Sequence, residues 1–435
     1  MARISTIVAL LVMLLWTSAV AQQSPIVLGL ASKLTVEQAI DEGIGNNLGL
    51  LAERMNLTIA EASLITARLR PNPLLSLGGD HINPANINDP PTELSFRIDV
   101  PIETGDKRER RIAVAEHDKS IAELRFRDAV RKLTSDVSEA CVNLLQAKAQ
   151  LQIALGSVRL LDQLVRLNEV RVQAGSVIPL ELTRSRVSMF QFRSDVRRAE
   201  LSLVAAKAKL QTLLGRKTVS DEFDILGGPK EAMPELGLEL GSLVDLALAT
   251  RPDIKALERQ VERSQADFKL QLAQAKVDYL VGTEYRREGF HSGANLLGVF
   301  FTVQLPFFSR NQGEIARATA EREQLLRQLQ ARRLEVTVEV KTAYEEFRSA
   351  RELVESIEQE LLNGAEQARI ISAYLYRTDA STLTDFLDTQ RAYNETAQSY
   401  YEAQAATRRA GIQLNASVGK EVVPWSGTGL GNLDR

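Results

Sequence analysis

The residue types able to bind metals, attack carbonyls or shuttle protons are few in this chain and poorly spaced for such work. Its three histidines, His81, His117 and His291, lie far apart. None has a partner three or four residues away, the spacing that puts two ligands on one helix face. His81 and His291 fall at a strand end and in a loop, where solvation is the default. Met55, Met189 and Met233 are scattered, so no relay for a soft metal is written here. The single cysteine, Cys141, excludes an intrachain disulfide and any zinc-ribbon or iron-sulfur site built from several thiolates. Beside Ala140 it reads as a small buried apolar group. No nucleophile elbow, phosphate loop, His-x-x-x-His pair or paired-cysteine motif occurs. With 53 Lys+Arg against 56 Asp+Glu the net charge is −3, so no basic field exists to hold a nucleic acid. No cofactor, resident metal site or catalytic centre is expected, and an enzyme is the class least supported.

The elements must then say what the chain does. Its 435 residues contain 5% aromatics, a level normal for long helices built from Ala, Leu, Glu, Arg and Gln. Residues 1–21 read as a signal peptide: Arg3 is followed by the apolar run Ile7 to Trp16 and by the small-x-small site Ala19-Val20-Ala21. A membrane-anchoring helix is the alternative, although the run is short for a bilayer. Gln22, not a cysteine, comes directly after Ala21, so a lipid anchor on a mature N-terminal cysteine has no attachment point. No later stretch approaches the roughly 18 apolar residues of a membrane helix, so insertion would have to use β-strands.

The remainder is written twice, at a displacement of 204 or 205 residues. Asn47-Leu48-Gly49-Leu50 aligns with Arg251-Pro252-Asp253-Ile254, Val100-Pro101-Ile102 with Leu305-Pro306-Phe307, and Gly215 with Gly419. So long a period is a duplicated domain, because solenoid repeats run about 20 to 50 residues. The first repeat is placed at 22–215, a Gly/Pro-containing surface connector at 216–241, the second repeat at 242–419 and a tail at 420–435.

No proline falls between Ile102 and Ile178 or between Phe307 and Val423, which leaves room for very long helices. Val130, Leu133, Val137, Ala140, Leu144, Ala147, Leu151, Ala154, Val158, Leu161 and Val165 alternate steps of three and four. In the second repeat Val336, Val340, Ala343, Phe347, Ala350, Val354, Ile357, Leu361, Gly364, Ala368, Ile371 and Leu375 do the same. Both are coiled-coil seams. Val142, Leu145, Ala149, Leu160 and Leu164 lie outside the first seam, so this helix is expected to touch neighbours on two sides, as in a wall of helices; a two-stranded coiled coil is the alternative. From Gly105 to Gln173 the rod would be roughly 100 Å long at about 1.5 Å per residue. Gly175-Ser176-Val177-Ile178-Pro179 breaks it, Leu180 to Leu214 returns, and Thr378 to Ser381 breaks the second copy. Each repeat is thus a helical hairpin with an exposed tip, preceded in the first copy by a helix over Val36 to Leu69.

Upstream of each hairpin the period changes to two. Leu94, Phe96, Ile98 and Val100 alternate with Ser95, Arg97 and Asp99, and Leu75 and Leu77 with Ser76 and Gly78. Tyr279 to Tyr285 and Leu297 to Leu305 repeat the pattern. Strands of seven to ten residues, apolar on one face and polar on the other, suit a water-filled membrane barrel; a small soluble hairpin sheet is the alternative. Four strands cannot close a barrel, for which about eight is the minimum, whereas three chains would supply twelve.

On these features the chain resembles the TolC family of bacterial outer-membrane efflux proteins over essentially its whole mature length. The junctions Pro101-Ile102-Glu103-Thr104-Gly105-Asp106-Lys107-Arg108 and Leu305-Pro306-Phe307-Phe308-Ser309-Arg310-Asn311-Gln312-Gly313 look like those of the cobalt-zinc-cadmium resistance branch. The resemblance implies a mainly α fold with a small β part. Duplicated hairpins would form a trimeric α-barrel tunnel, and four strands per chain a twelve-stranded β-barrel in outer-membrane lipid. It implies a passive exit duct in the outer membrane reaching into the periplasm. Its partners would be a periplasmic adaptor and an inner-membrane transporter, of the RND type for this branch, which would select any metal ion exported.

The family narrows its tunnel near the second tip with two aspartates in the pattern Asp-Val-Leu-Asp, which Asp385-Phe386-Leu387-Asp388 matches. In a trimer Asp385 and Asp388 would make two rings of carboxylates that attract cations; a solvated acidic face is the plainer alternative. Tyr376 matches the family's tyrosine and Glu181 its acidic position, but Ser381 stands where the family has an arginine, which leaves open whether Arg377 or Arg184 substitutes. The tips, with Gly175, Ser176, Val177, Arg184, Thr378, Asp379 and Ser381, resemble the adaptor-docking ends, although short exposed hairpins can also be plain loops. A periplasmic coiled-coil adaptor or scaffold is the rival outside the family, and the duct of a protein-secretion system the rival within it.

Overall fold

The computed structural model describes residues 33–80, 93–218, 220–227, 237, 239–288 and 293–424. The expected signal peptide, His81, His291 and Met233 lie outside them. Thr35 opens α1 (Val36–Asn46) with a reciprocal cap: its hydroxyl accepts from the Gln38 amide at 3.3 Å while the Gln38 side chain accepts from the Thr35 amide at 3.0 Å. The single helix expected over Val36 to Leu69 is in fact two. Asn47 leaves helical geometry (φ −62°, ψ 119°), and its side chain caps α2 (Leu48–Arg68) by accepting from the Leu50 amide at 3.0 Å. An Asn that can cap a new helix competes with continuing the old one. In the second repeat α5 (Leu240–Thr250) and α6 (Pro252–Gln274) break at the equivalent Arg251, where Pro252 takes the first helical position.

The long hairpin of the first repeat is α3 (Lys107–Gln173) with α4 (Pro179–Leu213). That of the second is α7 (Gln312–Ser356), a π-helical turn (Ile357–Leu362), α8 (Asn363–Arg377) and α9 (Leu383–Val418). As its two apolar stripes require, α3 has neighbours on both sides. Its first half runs between α2 and α6, held by Lys119 to Glu61 (3.1 Å) and Arg263 to Asp118 (3.1 Å). Its second half lies between α4 and α9, where Arg186 meets Glu169 (2.8 Å) and the Ser157 hydroxyl donates to Asn394 (2.9 Å). The result is a wall four helices wide. Val137, Leu144, Leu210 and Leu214 fill the core of the first repeat, and Val336, Val340, Leu414 and Val418 that of the second. Each fully buried leucine is worth about 1.5–3 kcal/mol. Cys141 sits in the first core with its thiol pushed up to about 12 by burial.

Two further sequence expectations change. The second seam holds as far as Ile357, but Leu361 and Ile371 are exposed, while Leu362, Ala365, Arg369 and Tyr376 turn inward. The π turn is the reason: it takes up one extra residue, so every later seam position moves on by one. The connector is also more than a surface segment. Phe223 and Ile225 are buried in the first core, and β4 (Asp224–Ile225) pairs in parallel with β1 (Lys33–Leu34).

The remaining strands form one antiparallel sheet in the order β2 (Leu74–Asp80), β3 (Glu93–Ile102), β5 (Tyr279–Glu288), β6 (Asn295–Val303). Register places Leu77, Phe96, Tyr285 and Leu297 in one row and Leu75, Ile98, Thr283 and Val299 in the next, all on one exposed face. Ser95, Arg97, Asp99, Glu284 and Arg286 take the other face. Among the described residues no helix is long and apolar enough to cross a membrane. Two sharp turns join sheet to helices at positive φ, one at Gly105 (71°) and Asp106 (60°), the other at Asn311 (60°). The buried Lys107 locks the first of them by donating to Asp278 (2.6 Å) and to the Lys276 carbonyl (2.8 Å).

Candidate functional site

The two tips lie side by side at the end of the wall farthest along α3 from the sheet. Thr382 starts α9 with a second reciprocal cap, so Asp385 is held from the first turn onward. Its carboxylate accepts from the Thr382 hydroxyl at 2.7 Å and from the Thr382 amide at 3.2 Å. Those two hydrogen bonds, the hydroxyl's first, hold the carboxyl below the usual carboxylate range. Asp385 is exposed, and so is Asp388 one turn on, whose only described ion pair is with Arg391 at 3.3 Å. Phe386 and Leu387 between them are buried with Leu161, Leu164, Met189 and Phe192. Alternation of two exposed carboxylates with two core side chains fixes which way the acidic face points.

Tyr376 is buried, stacked on Phe386 with ring centroids 5.8 Å apart. Its hydroxyl donates to Asn168 on α3 at 2.8 Å, and burial pushes it up from the ordinary tyrosine value. Glu181, in the first turn of α4, is half-buried. Arg184 is exposed, and Arg377 donates to Gln163 at 3.2 Å. Gly175, Ser176, Thr378 and Asp379 are exposed at the turns, Val177 and Ser381 half-buried.

Sequence reasoning missed Arg171. From the last turn of α3 it donates to the Tyr376 carbonyl (3.3 Å) and the Arg377 carbonyl (2.8 Å), pairs with Asp379 (2.8 Å), and lies over the Tyr376 ring at 5.6 Å. A cation there meets carbonyls at the C-terminal end of α8, where the helix dipole favours positive charge. The signal for it was a lone basic residue in the last turn before the first tip, with nothing local to show that its partners sit some 200 residues away.

A wall of paired long hairpins, a sheet with one apolar and one charged face, and carboxylates exposed beside the tips define a protomer of a channel-tunnel. The chain belongs to the outer membrane efflux protein family, whose model matches residues 39–216 and 243–420. It is similar to the cobalt-zinc-cadmium resistance protein CzcC of Cupriavidus metallidurans, 24% identical over 390 residues that cover 90% of this chain and 91% of the relative. It is also similar to the pyoverdine export outer membrane protein OpmQ of Pseudomonas putida, 28% identical over 66% of this chain and 60% of the relative. Its fold matches the crystal structure of CusC with a TM-score of 0.71 and 21% identity, covering 89% of this chain and 92% of that one. The protein is an outer-membrane efflux channel that extends into the periplasm.

Proposed function

We propose that three copies of this chain form the exit duct of a tripartite efflux system, receiving divalent cations of the cobalt, zinc and cadmium class from a periplasmic adaptor and an inner-membrane transporter of the RND type. The observation that carries the trimer is the open sheet. Among the described residues β2 and β6 end it with unpaired backbone edges, a state that invites another strand. Pairing β6 of one chain with β2 of the next, three times over, makes twelve strands and abolishes the edges. The helices leave matching work undone. On α4, Val187, Phe190, Leu201 and Val204 are exposed, and on α7 and α8 so are Leu334, Val338, Leu353, Ile371 and Tyr374. These two faces lie on opposite flanks of the wall, the arrangement of a head-to-tail ring.

Within such a ring Asp385 and Asp388 present six carboxylates to the bore near the tips, a cation-attracting constriction. The likeness to CzcC supports a metal cargo, and the tips that carry Gly175, Ser176, Val177, Arg184, Thr378, Asp379 and Ser381 are the surface left for an adaptor. Native mass of the detergent-extracted protein tests the ring: three chains are expected, and a monomer would overturn it in favour of a scaffold. In a strain lacking the gene, complementation should restore tolerance to zinc, cobalt and cadmium. Restoration of drug or siderophore export instead would overturn the cargo while leaving the duct. In planar bilayers, replacing Asp385 and Asp388 by Ala should raise conductance and weaken cation preference; unchanged single-channel behaviour would refute their place in the bore.

A further inference from the structure

The charged face of the sheet holds more than a wet lumen needs. On β3, Arg97 donates through Nε to both oxygens of Asp99 at 2.9 Å. On β5, Arg286 donates to Glu284 at 3.0 Å and approaches Glu93 at 3.7 Å. Register puts Arg97 directly opposite Glu284, so opposite charges meet along each strand and at this rung of the pair. Asp99 and Glu284 are only 6% and 8% exposed, which means that the guanidinium groups cover them.

Two glycines make this possible. Gly282 lies opposite Asp99, and a Cβ at Gly282 would run into the Asp99 carboxylate and meet Arg97 Nε at 3.4 Å. Gly298 lies opposite Glu284 on β6, and a Cβ there would meet the Phe300 ring at 2.9 Å. The missing Gly282 side chain leaves room on β5 for Arg97 to lie flat, its guanidinium 4.3 Å above the centre of the Phe300 ring, and the missing Gly298 side chain leaves room for that ring. Arg97 thus hugs the wall of the sheet.

We propose that Arg97 and Arg286 form a release belt in the barrel, neutralising carboxylates that would otherwise hold a departing divalent cation. The belt rests on the duct reading above. Conduction demands that a cation bind weakly enough to leave, and a ring of bare carboxylates in the outer half of a duct opposes discharge. Pairing Asp99 with Arg97 and Glu284 with Arg286 removes that site at the middle of the sheet, and laying Arg97 over Gly282 does so without narrowing the bore. The periplasmic aspartates then attract the cation and the barrel lets it go.

The test is single-channel recording of the purified trimer with salt gradients, with and without Zn²⁺ on the extracellular side. Arg97→Gln should move the reversal potential towards cations and make Zn²⁺ block the current at concentrations at least tenfold below any that affect the unmodified channel. Arg286→Gln should do the same, and it decides the matter if Arg97→Gln fails to insert. Glu284→Gln should shift preference towards anions. Arginine variants that conduct with unchanged reversal potential and unchanged Zn²⁺ response overturn the belt. An unmodified protein that forms no trimer and no channel overturns the duct itself, and the belt with it.

Discussion

Arg171 ties the two tips of a protomer together, and removing it should loosen the end of the tunnel. Its forked guanidinium donates to two carbonyls at the end of α8 and to Asp379, and rests over Tyr376. The Arg171 side chain is 11% exposed but Asp379 is 68% exposed, so the ion pair itself contributes at most about 1 kcal/mol. Hydrogen bonds from a charged donor to shielded carbonyls are worth about 1.5–3 kcal/mol each, and shared geometry makes them less than additive. A loss of about 2–3 kcal/mol for Arg171→Ala follows. At about 1.4 kcal/mol per tenfold, the ratio of separated to joined tips should rise roughly 30- to 150-fold. Asp379→Ala should change that ratio less than about fivefold, because it removes only the exposed partner. Arg171→Lys should fall between, since an ammonium cannot fork to two carbonyls. The assay is the fraction of time a bilayer-reconstituted channel spends in its larger conductance. If Arg171→Ala channels, still trimeric, open no more than Asp379→Ala channels, the tie is not what holds the tips.

Three further outcomes are expected. Asp385 is held low by hydrogen bonds from Thr382, so its charge persists until pH falls through that lowered value. Thr382→Val removes the first of those bonds, and cation preference, followed as reversal potential against pH, should then vanish at a higher pH than in the unmodified channel. Gly215 has φ +71° and a Cβ there would strike the Asn46 carbonyl, whereas Gly175, at φ +73°, faces open space. Gly215→Ala should therefore cost about 2–4 kcal/mol and Gly175→Ala about 1–2 kcal/mol, seen as unequal drops in the thermal midpoint. Deleting Gln359 removes the extra residue of the π turn, so the helix should close to a regular α form with Tyr376 still in its core. Deleting Glu346 from regular helix rotates everything beyond it by about 100° and should abolish folding; equal tolerance of both deletions would refute the register argument.

The helices were legible because their signals are local and repeated. A step of three and four sustained over five heptads can only be an amphipathic helix, and prolines confined to the junctions marked where each rod ends. Alternation around Phe96 and Val299 marked the strands for the same reason. The carboxylates Asp385 and Asp388 were found through the family pattern, and their exposure follows from Phe386 and Leu387 being apolar neighbours. The split at Asn47 was harder, because both sides of it are good helix and only the cap distinguishes them.

Sequence alone determined the duplication, the length of the rods, the two-faced strands and the absence of metal-binding or nucleophilic motifs, since each is a property of residue order along one segment. Tertiary structure alone decided which surfaces meet. It brought Arg171 to the carbonyls of Tyr376 and Arg377, moved the second seam by one residue at the π turn, drew Phe223 and Ile225 into the core, and laid Arg97 beside Gly282 onto Phe300. Each of these depends on groups far apart in the chain, whose approach is set by the packing of whole helices and by strand register, quantities that no local pattern encodes.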